Sequence, residues 1–311
     1  MVIHNCNQVT EPLPELLQID LDRLNLSVIE VLFSNPRKGR WTLKVKGWVN
    51  GMPAVLKWCH PDAAKEYQEG FQREKDFYRN FGAGLFLPHP FMHEPNLLLM
   101  EYVPALSLRQ YMIVNAHNVG DFGSGEVLVV LKCLLKQLKE FHSAHRGFPD
   151  PAGTAKQLTS FWLKLFLSGP MGTKRSRVEE WLAKATALII SRVVQKMFRR
   201  DLERNNIGEG IVTCGFIHGD LHCNNILITI DHKKVFLIDF ENVERNSFWI
   251  LDLLYLWPMV LKLAKGEKLK KEVFNLLAES DLFSNDREWV LFKKWLRIMR
   301  VAIFFNRRFA V

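Results

Sequence analysis

The sequence is short of cysteine and has no pattern that would pair the cysteines it has. An odd number of them is present, and none forms a Cys-x-x-Cys motif. They are Cys6, Cys59, Cys133, Cys214 and Cys223. This spacing argues against a disulfide framework and against a zinc ribbon. A reducing, cytoplasmic location is therefore expected.

Long apolar runs are also absent. The segment from Met1 to Thr10 lacks the apolar core of a signal peptide. The most hydrophobic stretch, Phe248 to Ala264, carries Asp252 and Pro258 and is too short and too interrupted to span a bilayer. Internal repeats and low-complexity segments are missing as well. These absences favour a globular protein over a membrane-spanning or fibrous one.

The composition is that of a globular chain with an excess of positive charge. The 311 residues are 48% hydrophobic and 24% charged, which is enough to build one large domain or two lobes. The formal net charge is +9 and the isoelectric point is near 9.3. Such a charge indicates an anionic partner, namely a nucleotide, a nucleic acid, a phospholipid surface or an acidic glycan. The alternative is a basic surface that serves only for solvation.

One stretch in the last third of the chain gathers oxygen ligands. Asp220 and Asn225 precede a predicted β-hairpin at Ile226 to Leu237, which turns at Asp231-His232-Lys233, and Asp239 follows it. A hairpin brings its two outer ends together, so these three side chains are expected to converge. Carboxylate and amide oxygens are the ligands that Mg²⁺ prefers, particularly when it also binds phosphate.

The N-terminal part predicts an antiparallel meander. Three runs have the apolar, alternating or β-branched character of strands. They are Ser27–Phe33, Trp41–Val49 and Pro53–Trp58. The Asn50-Gly51 pair between the last two is a strong signal for a hairpin turn.

A buried ion pair is predicted between the third strand and the next helix. The helix is expected to begin at Asp62, as an N-cap, and to reach Asn80. Glu74 occupies a position in its apolar stripe, and a buried carboxylate needs a partner. The nearest cation that the preceding strand offers is Lys57. In the alternative, Glu74 lies at the edge of a wide apolar face and Lys57 points into solvent.

The remainder of the chain is predicted to be mainly helical. A buried strand is predicted at Leu97–Val103, and a helix is predicted to start near Ser107. After a break at Ser124-Gly125, a second helix is predicted from Glu126 to His145. A third helix is predicted to cover Phe248 to Lys262. A long helix at Val178–Arg204 ends in Lys196, Arg199, Arg200 and Arg204. This order, strands with one helix and then helices around a hairpin, predicts an α+β chain with two lobes.

The motifs resemble those of kinase-like phosphotransferases of the aminoglycoside phosphotransferase and choline kinase type. His-Gly-Asp-Leu-His-Cys-Asn-Asn-Ile-Leu at 218–227 is similar to their catalytic loop, and Leu-Ile-Asp-Phe-Glu at 237–241 to their metal-binding motif. Val-Leu-Lys-Trp at 55–58 and Arg73-Glu74 are similar to their small-lobe ion pair, and lipopolysaccharide-core sugar kinases carry a comparable Leu-Lys-Trp. The resemblance implies a protein-kinase-like fold. Its expected parts are a lead-in at 1–26, a small lobe at 27–103, and a large lobe at 104–311 with a helical insertion at about 150–212.

The resemblance also implies a role for each matching residue. Asp220 would orient and deprotonate an acceptor hydroxyl, and Asn225 and Asp239 would hold Mg²⁺ on the phosphates of ATP. Lys57 would contact the α- and β-phosphates, steadied by Glu74. Three further groups complete the implied site. They are the backbone of Met100, Glu101 and Tyr102 at the adenine, His218 as a structural member of the loop, and Asp252 as a brace for the loop backbone.

Two departures from the family pattern affect the expected substrates. The segment 35–40, where a glycine-rich loop should cover the phosphates, contains one glycine, so Arg37 and Lys38, together with Arg40, would supply charge in its place. Only twelve residues lie between Asp239 and Asp252, which leaves no room for a platform that binds a peptide. A small-molecule or glycolipid hydroxyl is therefore the expected acceptor.

The positive charge favours an anionic sugar on a glycolipid, as in Kdo or heptose kinases, and peripheral contact with the inner face of an anionic membrane. Aminoglycoside-type or choline-type acceptors are the alternatives among enzymes. A catalytically inactive nucleotide-binding module is the alternative from another class. A structural zinc site at Cys214, His218, His222 and Cys223 would leave the oxygen ligands unexplained. No nucleic acid is expected as a partner, because no recognisable binding motif is present.

Overall fold

The computed structural model divides the chain into two compact units. The first comprises Met1–Ala105 and Thr229–Asn242, and the second comprises Leu106–Ile228 and Val243–Val311. The structure describes residues 12–48, 51–81, 87–115, 121–144, 192–193, 196–197, 199–201, 204, 214–232, 234–283 and 285–308. The first unit is built on an antiparallel sheet and the second is mostly helical, which confirms the predicted α+β class.

The first unit contains a five-stranded antiparallel sheet in the order β1–β2–β3–β5–β4. Its strands are β1 Ser27–Asn35, β2 Arg40–Lys46, β3 Pro53–Cys59, β4 Pro90–Glu94 and β5 Leu97–Glu101. The predicted meander of the first three strands is confirmed. Gly51 of the predicted turn is described, whereas Asn50 lies outside the described residues.

One face of this sheet forms a core with an N-terminal helix, α1 Glu15–Arg23. Trp41, Leu43 and Val45 alternate into this core as predicted, because successive side chains of a strand point to opposite faces. Leu17 and Leu21 of α1 cover them. The sequence alone indicated only a loose lead-in here, so α1 is a feature that it did not predict.

The other face carries Lys57. Leu56 and Trp58, its neighbours in β3, both belong to the core beneath α1, so Lys57 points away from that core. The second helix of the unit, α2 Lys65–Phe81, supplies the buried Glu74. These positions place the cation and the carboxylate where they can meet.

The predicted start of α2 at Asp62 is wrong. Residues 61–63 form a turn, in which the Ala63 N–H donates to the His60 carbonyl at 3.0 Å. The Asp62 N–H donates to His60 Nδ1 at 3.0 Å, so Asp62 uses its backbone in the turn. The Gln68 side chain donates to the carbonyls of Pro61 and Ala63, and this holds the turn against the first part of the helix.

The second unit contains helices around a two-stranded antiparallel ribbon of β7 Cys214–Ile217 and β10 Glu244–Phe248. Its helices include α3 Leu108–Asn115, α4 Asp121–Ser143, α5 Ile250–Leu263, α6 Glu267–Ala278 and α7 Asp286–Arg308. No helix among the described residues is both long and apolar enough to cross a membrane.

The predicted break at Ser124-Gly125 is wrong, because both residues lie inside α4. A glycine within a helix costs about 1 kcal/mol relative to alanine. This is too little to end a helix whose later residues are buried in the core. The anchor is the predicted apolar face, where Val127, Leu131 and Leu138 are fully buried.

A β-hairpin follows the Asp220 segment, as predicted. Its strands are β8 Ile226–Thr229 and β9 Val235–Leu237, and the short strand β6 Ala105–Ser107 completes the sheet order β6–β8–β9. The Thr229 N–H donates to the Lys234 carbonyl at 3.1 Å, and the Thr229 hydroxyl accepts from the Lys234 N–H at 3.0 Å. Most of the predicted insertion at 150–212 lies outside the described residues. Lys196, Arg199, Arg200 and Arg204 are described, and they are helical and exposed.

Candidate functional site

Lys57 and two carboxylates form a compact cluster within the first unit. The Lys57 ammonium lies 2.7 Å and 2.9 Å from the two oxygens of Glu74, and 2.9 Å from Oδ1 of Asp239. The predicted Lys57–Glu74 pair is therefore present, and Glu74 is fully buried rather than at the edge of an apolar face. Asp239, from a distant part of the sequence, completes the cluster.

The electrostatics of this cluster follow from its burial. Desolvation disfavours the Lys57 ammonium, but the attraction of Asp239 and Glu74 outweighs it, so the pKa of Lys57 is raised. Desolvation also raises the pKa of Glu74, against the opposing attraction of Lys57. The Lys57 ammonium is thus fixed as a positive charge.

The segment after β9 is held against α2. The Phe240 N–H donates to Glu74 Oε1 at 3.2 Å, so one carboxylate binds both Lys57 and this backbone. The Phe240 ring stacks on Phe77 at 4.3 Å between centroids and meets Tyr78 edge-on. Asp239 itself adopts a left-handed backbone conformation, with φ of 72°. The turn that carries Asp239 is therefore held by two kinds of contact at Phe240, a backbone hydrogen bond and the packing of its ring.

Glu241 extends the cluster and brings in an arginine from the start of β2. Arg40 forms an ion pair with the Glu241 side chain, and Arg73 Nε donates to the Glu241 carbonyl at 3.0 Å. Carboxylate oxygens of Glu74, Asp239 and Glu241 all lie within 4.8 Å of one another. A set of carboxylates is suited to a hard divalent cation such as Mg²⁺. The Asp239 side chain is 36% exposed, so part of this set is open to solvent.

The glycine-poor loop has a defined structure. Residues Pro36–Lys38 form one turn of 3₁₀ helix, and Gly39 closes it with a left-handed φ of 64°. A Cβ at Gly39 would lie 2.8 Å from Cβ of His60, so only glycine fits there. Arg37 and Lys38 are exposed, and the Lys38 ammonium lies 4.8 Å from the centre of the Tyr67 ring. Their predicted contact with phosphate stays a prediction, as does that of Arg40.

At the end of β5, where adenine is expected to bind, one backbone N–H group is already hydrogen-bonded within the protein. Met100 is buried, and the Glu101 N–H donates to the His89 carbonyl at 2.8 Å. Tyr102 is half-buried, and the Lys44 ammonium lies 4.1 Å from the centre of its ring. The adenine contact at Met100, Glu101 and Tyr102 stays a prediction.

The loop that carries Asp220 lies in the second unit and is tied to α5. The His218 and Gly219 N–H groups donate to the two carboxylate oxygens of Asp252, at 2.8 Å and 3.1 Å. Asp252 is fully buried. The predicted brace from Asp252 to the loop backbone is thus present. Gly219 has φ of 76°, which lets the chain turn between the two bonds.

Asn225 closes the same loop from its other end. Its side-chain amide donates to the Asp220 carbonyl at 3.0 Å, and Asn225 is buried while Asp220 is half-buried. Burial raises the pKa of the Tyr255 hydroxyl, and the charges of Asp220 and Asp252 raise it further. Asn225 and Asp239 belong to different units, so the metal site predicted for them stays a prediction.

Two participants gave no usable signal in the sequence. His142 contacts Asp252 at 3.1 Å, although it is one histidine at the end of an apolar helix. Arg40 was one of three basic residues in its segment, and the sequence did not indicate which would meet a carboxylate.

The zinc alternative gains no support: among the described residues, the group positioned to hold a metal consists of carboxylates alone. Burial also raises the pKa of the Cys223 thiol to about 12.

Comparison with known proteins identifies the fold. The model of the Ecdysteroid kinase-like family matches residues 131–277, which contain the Asp220, Asn225 and Asp239 motifs. No curated protein matches the sequence significantly. An ethanolamine kinase from Plasmodium vivax is similar in structure, with 13% identity, a TM-score of 0.53, and coverage of 94% of this chain and 76% of that one. The aminoglycoside phosphotransferase APH(4)-Ia aligns over 95% of this chain and 98% of its own, with 10% identity and a TM-score of 0.49.

These similarities confirm the predicted resemblance to kinase-like phosphotransferases and the predicted protein-kinase-like fold. The matched family segment covers the loop and hairpin that carry the motifs, whereas the structural likeness extends over nearly the whole chain. The fold does not by itself fix an activity.

Proposed function

We propose that this protein is an ATP- and Mg²⁺-dependent phosphotransferase that acts on a hydroxyl group of a small molecule. The observation that carries the proposal is the Lys57 ammonium held by both Glu74 and Asp239 in the first unit. A lysine fixed by a glutamate in this way, beside carboxylates suited to Mg²⁺, is the arrangement that protein kinases use for phosphoryl transfer from ATP.

In this proposal each polar side chain of the site has a defined role. Lys57 neutralises the α- and β-phosphates, and Glu74 holds Lys57 in place. Asp239 and Asn225 hold Mg²⁺, which when bound neutralises charge on the phosphates. Asp220 orients the acceptor hydroxyl and takes its proton, as the new oxygen–phosphorus bond forms and the bond from the γ-phosphorus to the β-phosphate oxygen breaks. Catalysis then comes mainly from positioning and charge neutralisation.

The acceptor is proposed to be a small lipophilic alcohol. The family whose model matches is described as ecdysteroid kinase-like, and a steroid of that kind presents hydroxyl groups on an apolar body. The net charge of +9 is the observation that favours the second candidate, an anionic glycolipid sugar of the lipopolysaccharide-core type. Both acceptors require the same chemistry at Asp220.

The test is a turnover screen with the full chain. Consumption of Mg-ATP is measured with polyhydroxylated steroids, Kdo-containing glycolipids, aminoglycosides and choline analogues in parallel. Asp220→Asn should lower kcat by about 10²-fold or more, the usual contribution of a positioned general base. Asp62→Asn is the control, because the Asp62 side chain is almost fully exposed in the first unit; it should leave kcat unchanged.

Three outcomes separate the hypotheses. Turnover that depends on Asp220 supports the proposal, and the productive acceptor identifies the substrate class. Nucleotide binding without turnover of any acceptor supports the inactive binding module. Failure to bind nucleotide in the presence of Mg²⁺, or full activity of Asp220→Asn, refutes the proposal.

A further inference from the structure

We propose that the exposed side of residues 192–204 is a docking face for an anionic membrane surface. The inference goes beyond the proposed function, because it assigns a partner to a part of the second unit that carries none of the kinase-like motifs. This basic–apolar face consists of Arg192, Lys196, Arg200 and Arg204 together with Val193 and Met197.

The side chains of the face form two parallel rows. The described residues between 192 and 204 are helical, and helical residues four positions apart are neighbours along one side. The second row contains Val193 and Met197 and ends at Asp201. All four members of the first row are basic and exposed. They are Arg192, Lys196, Arg200 and Arg204.

Asp201 holds the segment against the last helix. Its side chain is buried, and its two carboxylate oxygens lie 2.7 Å and 2.6 Å from the Lys294 ammonium of α7. The ion pair fixes which side of the segment faces the protein. The basic–apolar face is the side that remains exposed.

Apolar side chains are exposed on this face next to the cations. The exposed fractions of Val193 and Met197 are 54% and 43%. Val290 of α7 is 58% exposed and lines the same cavity of about 330 Å³ as Asp201, so a third exposed apolar side chain lies near the segment. Single exposed apolar residues are ordinary, but a row of cations beside an apolar row is typical of a helix that lies in a membrane interface.

The charge of the segment is complementary to an anionic lipid surface. Residues 192–204 contain five basic and two acidic residues, and one of the acidic residues, Asp201, is buried in its ion pair. Asp286 and Arg287, which line the neighbouring cavity, offset each other in charge. One lysine or arginine near an anionic bilayer strengthens binding about fivefold, so the row of four is expected to contribute on the order of several hundredfold.

The apolar row decides between a membrane and another polyanion. A nucleic acid binds a row of cations through its phosphate backbone, which offers no apolar surface to Val193 and Met197. The interface of a bilayer offers both, because lipid headgroups meet the cations and acyl chains meet the apolar side chains. An anionic membrane is therefore the occupant that accounts for both rows.

The test is co-sedimentation of the full-length protein with vesicles at physiological ionic strength. The native protein should bind vesicles of phosphatidylcholine and phosphatidylserine, but not vesicles of phosphatidylcholine alone. Lys196→Gln/Arg200→Gln should weaken binding about 25-fold. Lys132→Gln/Lys136→Gln is the matched control, because these are two exposed cations four residues apart on α4. It should change binding by less than about twofold, since distant exposed charges are largely screened.

A second double variant tests the apolar row. Val193→Ser/Met197→Ser should weaken binding to the anionic vesicles about tenfold or more, because less apolar surface leaves water on docking. Val129→Ser is its control, because Val129 on α4 is exposed to the same degree, at 59%. All the substituted side chains are exposed, so the variants should fold, and their urea midpoints check this.

The outcomes are distinct. Weaker binding of both double variants, with native binding of both controls, supports the docking face. No binding of the native protein to the anionic vesicles, or equal losses in the α4 controls, overturns it. Binding that depends on Lys196 and Arg200 but not on Val193 and Met197 also overturns it, and a parallel assay with single-stranded RNA then shows whether nucleic acid is the partner.

Vesicle binding needs no nucleotide, so its failure is distinguishable from failure of the proposed function. A protein that docks as described but phosphorylates no acceptor refutes the proposed function and leaves the docking face intact. A protein that phosphorylates a soluble acceptor but does not bind the anionic vesicles refutes the docking face alone.

Discussion

Lys75 donates from its ammonium to the backbone carbonyl of Glu94 at 2.7 Å, and it also reaches the carbonyl of Pro95 at 2.6 Å. These two carbonyls belong to the connection between β4 and β5. Since Lys75 directly follows Glu74 in α2, the contact fixes the helix beside the residue that holds Lys57. Burial and the nearby Arg79 lower the pKa of Lys75, against the opposing attraction of Asp76.

Replacing Lys75 should therefore loosen α2. Lys75→Met keeps the apolar stem but removes a charged donor, and we expect the free energy of unfolding to fall by about 2–3 kcal/mol. Lys65→Met, at an exposed position of the same helix, should change it by less than about 0.5 kcal/mol. Urea unfolding of both variants measures the difference. Equal effects would show that Lys75 does not anchor the helix.

The Lys57–Glu74 pair should behave as a coupled unit. Lys57→Met leaves a buried carboxylate with one partner fewer, and removal of one member of a buried pair typically costs about 3–5 kcal/mol. The double variant Lys57→Met/Glu74→Gln should lose at least about 1 kcal/mol less than the sum of the two single variants. A double-mutant cycle in urea measures this coupling.

The exposed pair Lys270–Glu267, at 2.8 Å, is the matched control. Its cycle should give a coupling below about 0.5 kcal/mol, as is usual for surface pairs. Additive effects at Lys57 and Glu74 would contradict the assignment of a buried, mutually dependent pair.

His93 should make the first unit sensitive to mild acid. Burial lowers the pKa of His93 below its usual 6.5, and the positive charges of Arg79 and Lys75 lower it further, against the opposing attraction of Asp76. The unfolded chain therefore binds the proton more readily than the folded chain. Stability contributed by the neutral ring is present above about pH 6.5 and is lost as the pH falls from there through the folded pKa.

The measurement is the urea midpoint at pH 7.5 and at pH 5.5. His93→Gln cannot take up a proton and should show a smaller drop between the two values than the native protein. An identical drop in both proteins would assign the acid sensitivity to other groups.

The N-terminal helix should depend on one partly buried hydrogen bond. The Trp58 indole N–H donates to Asp20 Oδ2 at 2.9 Å, and this ties α1 to the third strand. Asp20→Ala should cost about 1–3 kcal/mol, because the indole N–H loses its acceptor, and hydrogen exchange of residues 15–23 should accelerate. Asp22→Ala removes only an exposed contact with Gln18 and should have little effect on either measurement.

Much of the first unit could be predicted because its signals are local and periodic. The alternation of Trp41, Leu43 and Val45 fixed which face of the sheet is buried. A carboxylate in the apolar stripe of α2 needed a cation as partner, and the strand that precedes α2 offered Lys57. The same kind of reasoning gave the hairpin before Asp239, whose turn residues and apolar strands are adjacent in the sequence.

The remaining features depend on contacts between distant residues. Helix α1 buries only Leu17 and Leu21 on its apolar face, too weak a pattern to recognise alone. Arg40 meets Glu241 because β2 starts there, whereas Arg37 and Lys38 have the same charge but lie on the 3₁₀ turn. His142 contacts Asp252 because of the orientation of its ring. The spacing of residues in the sequence does not reveal that orientation.

The division of the chain has a consequence for synthesis on the ribosome. Asp239 and Phe240 complete the first unit, yet they leave the ribosome after the whole of Leu106–Ile228. Until then, the Phe77 ring stacks on Phe81 but lacks its second stacking partner, Phe240, and Lys57 has only one of its two carboxylates. A nascent chain that ends before Thr229 therefore displays an apolar patch on α2, and this is the stage at which a chaperone would find a surface to bind.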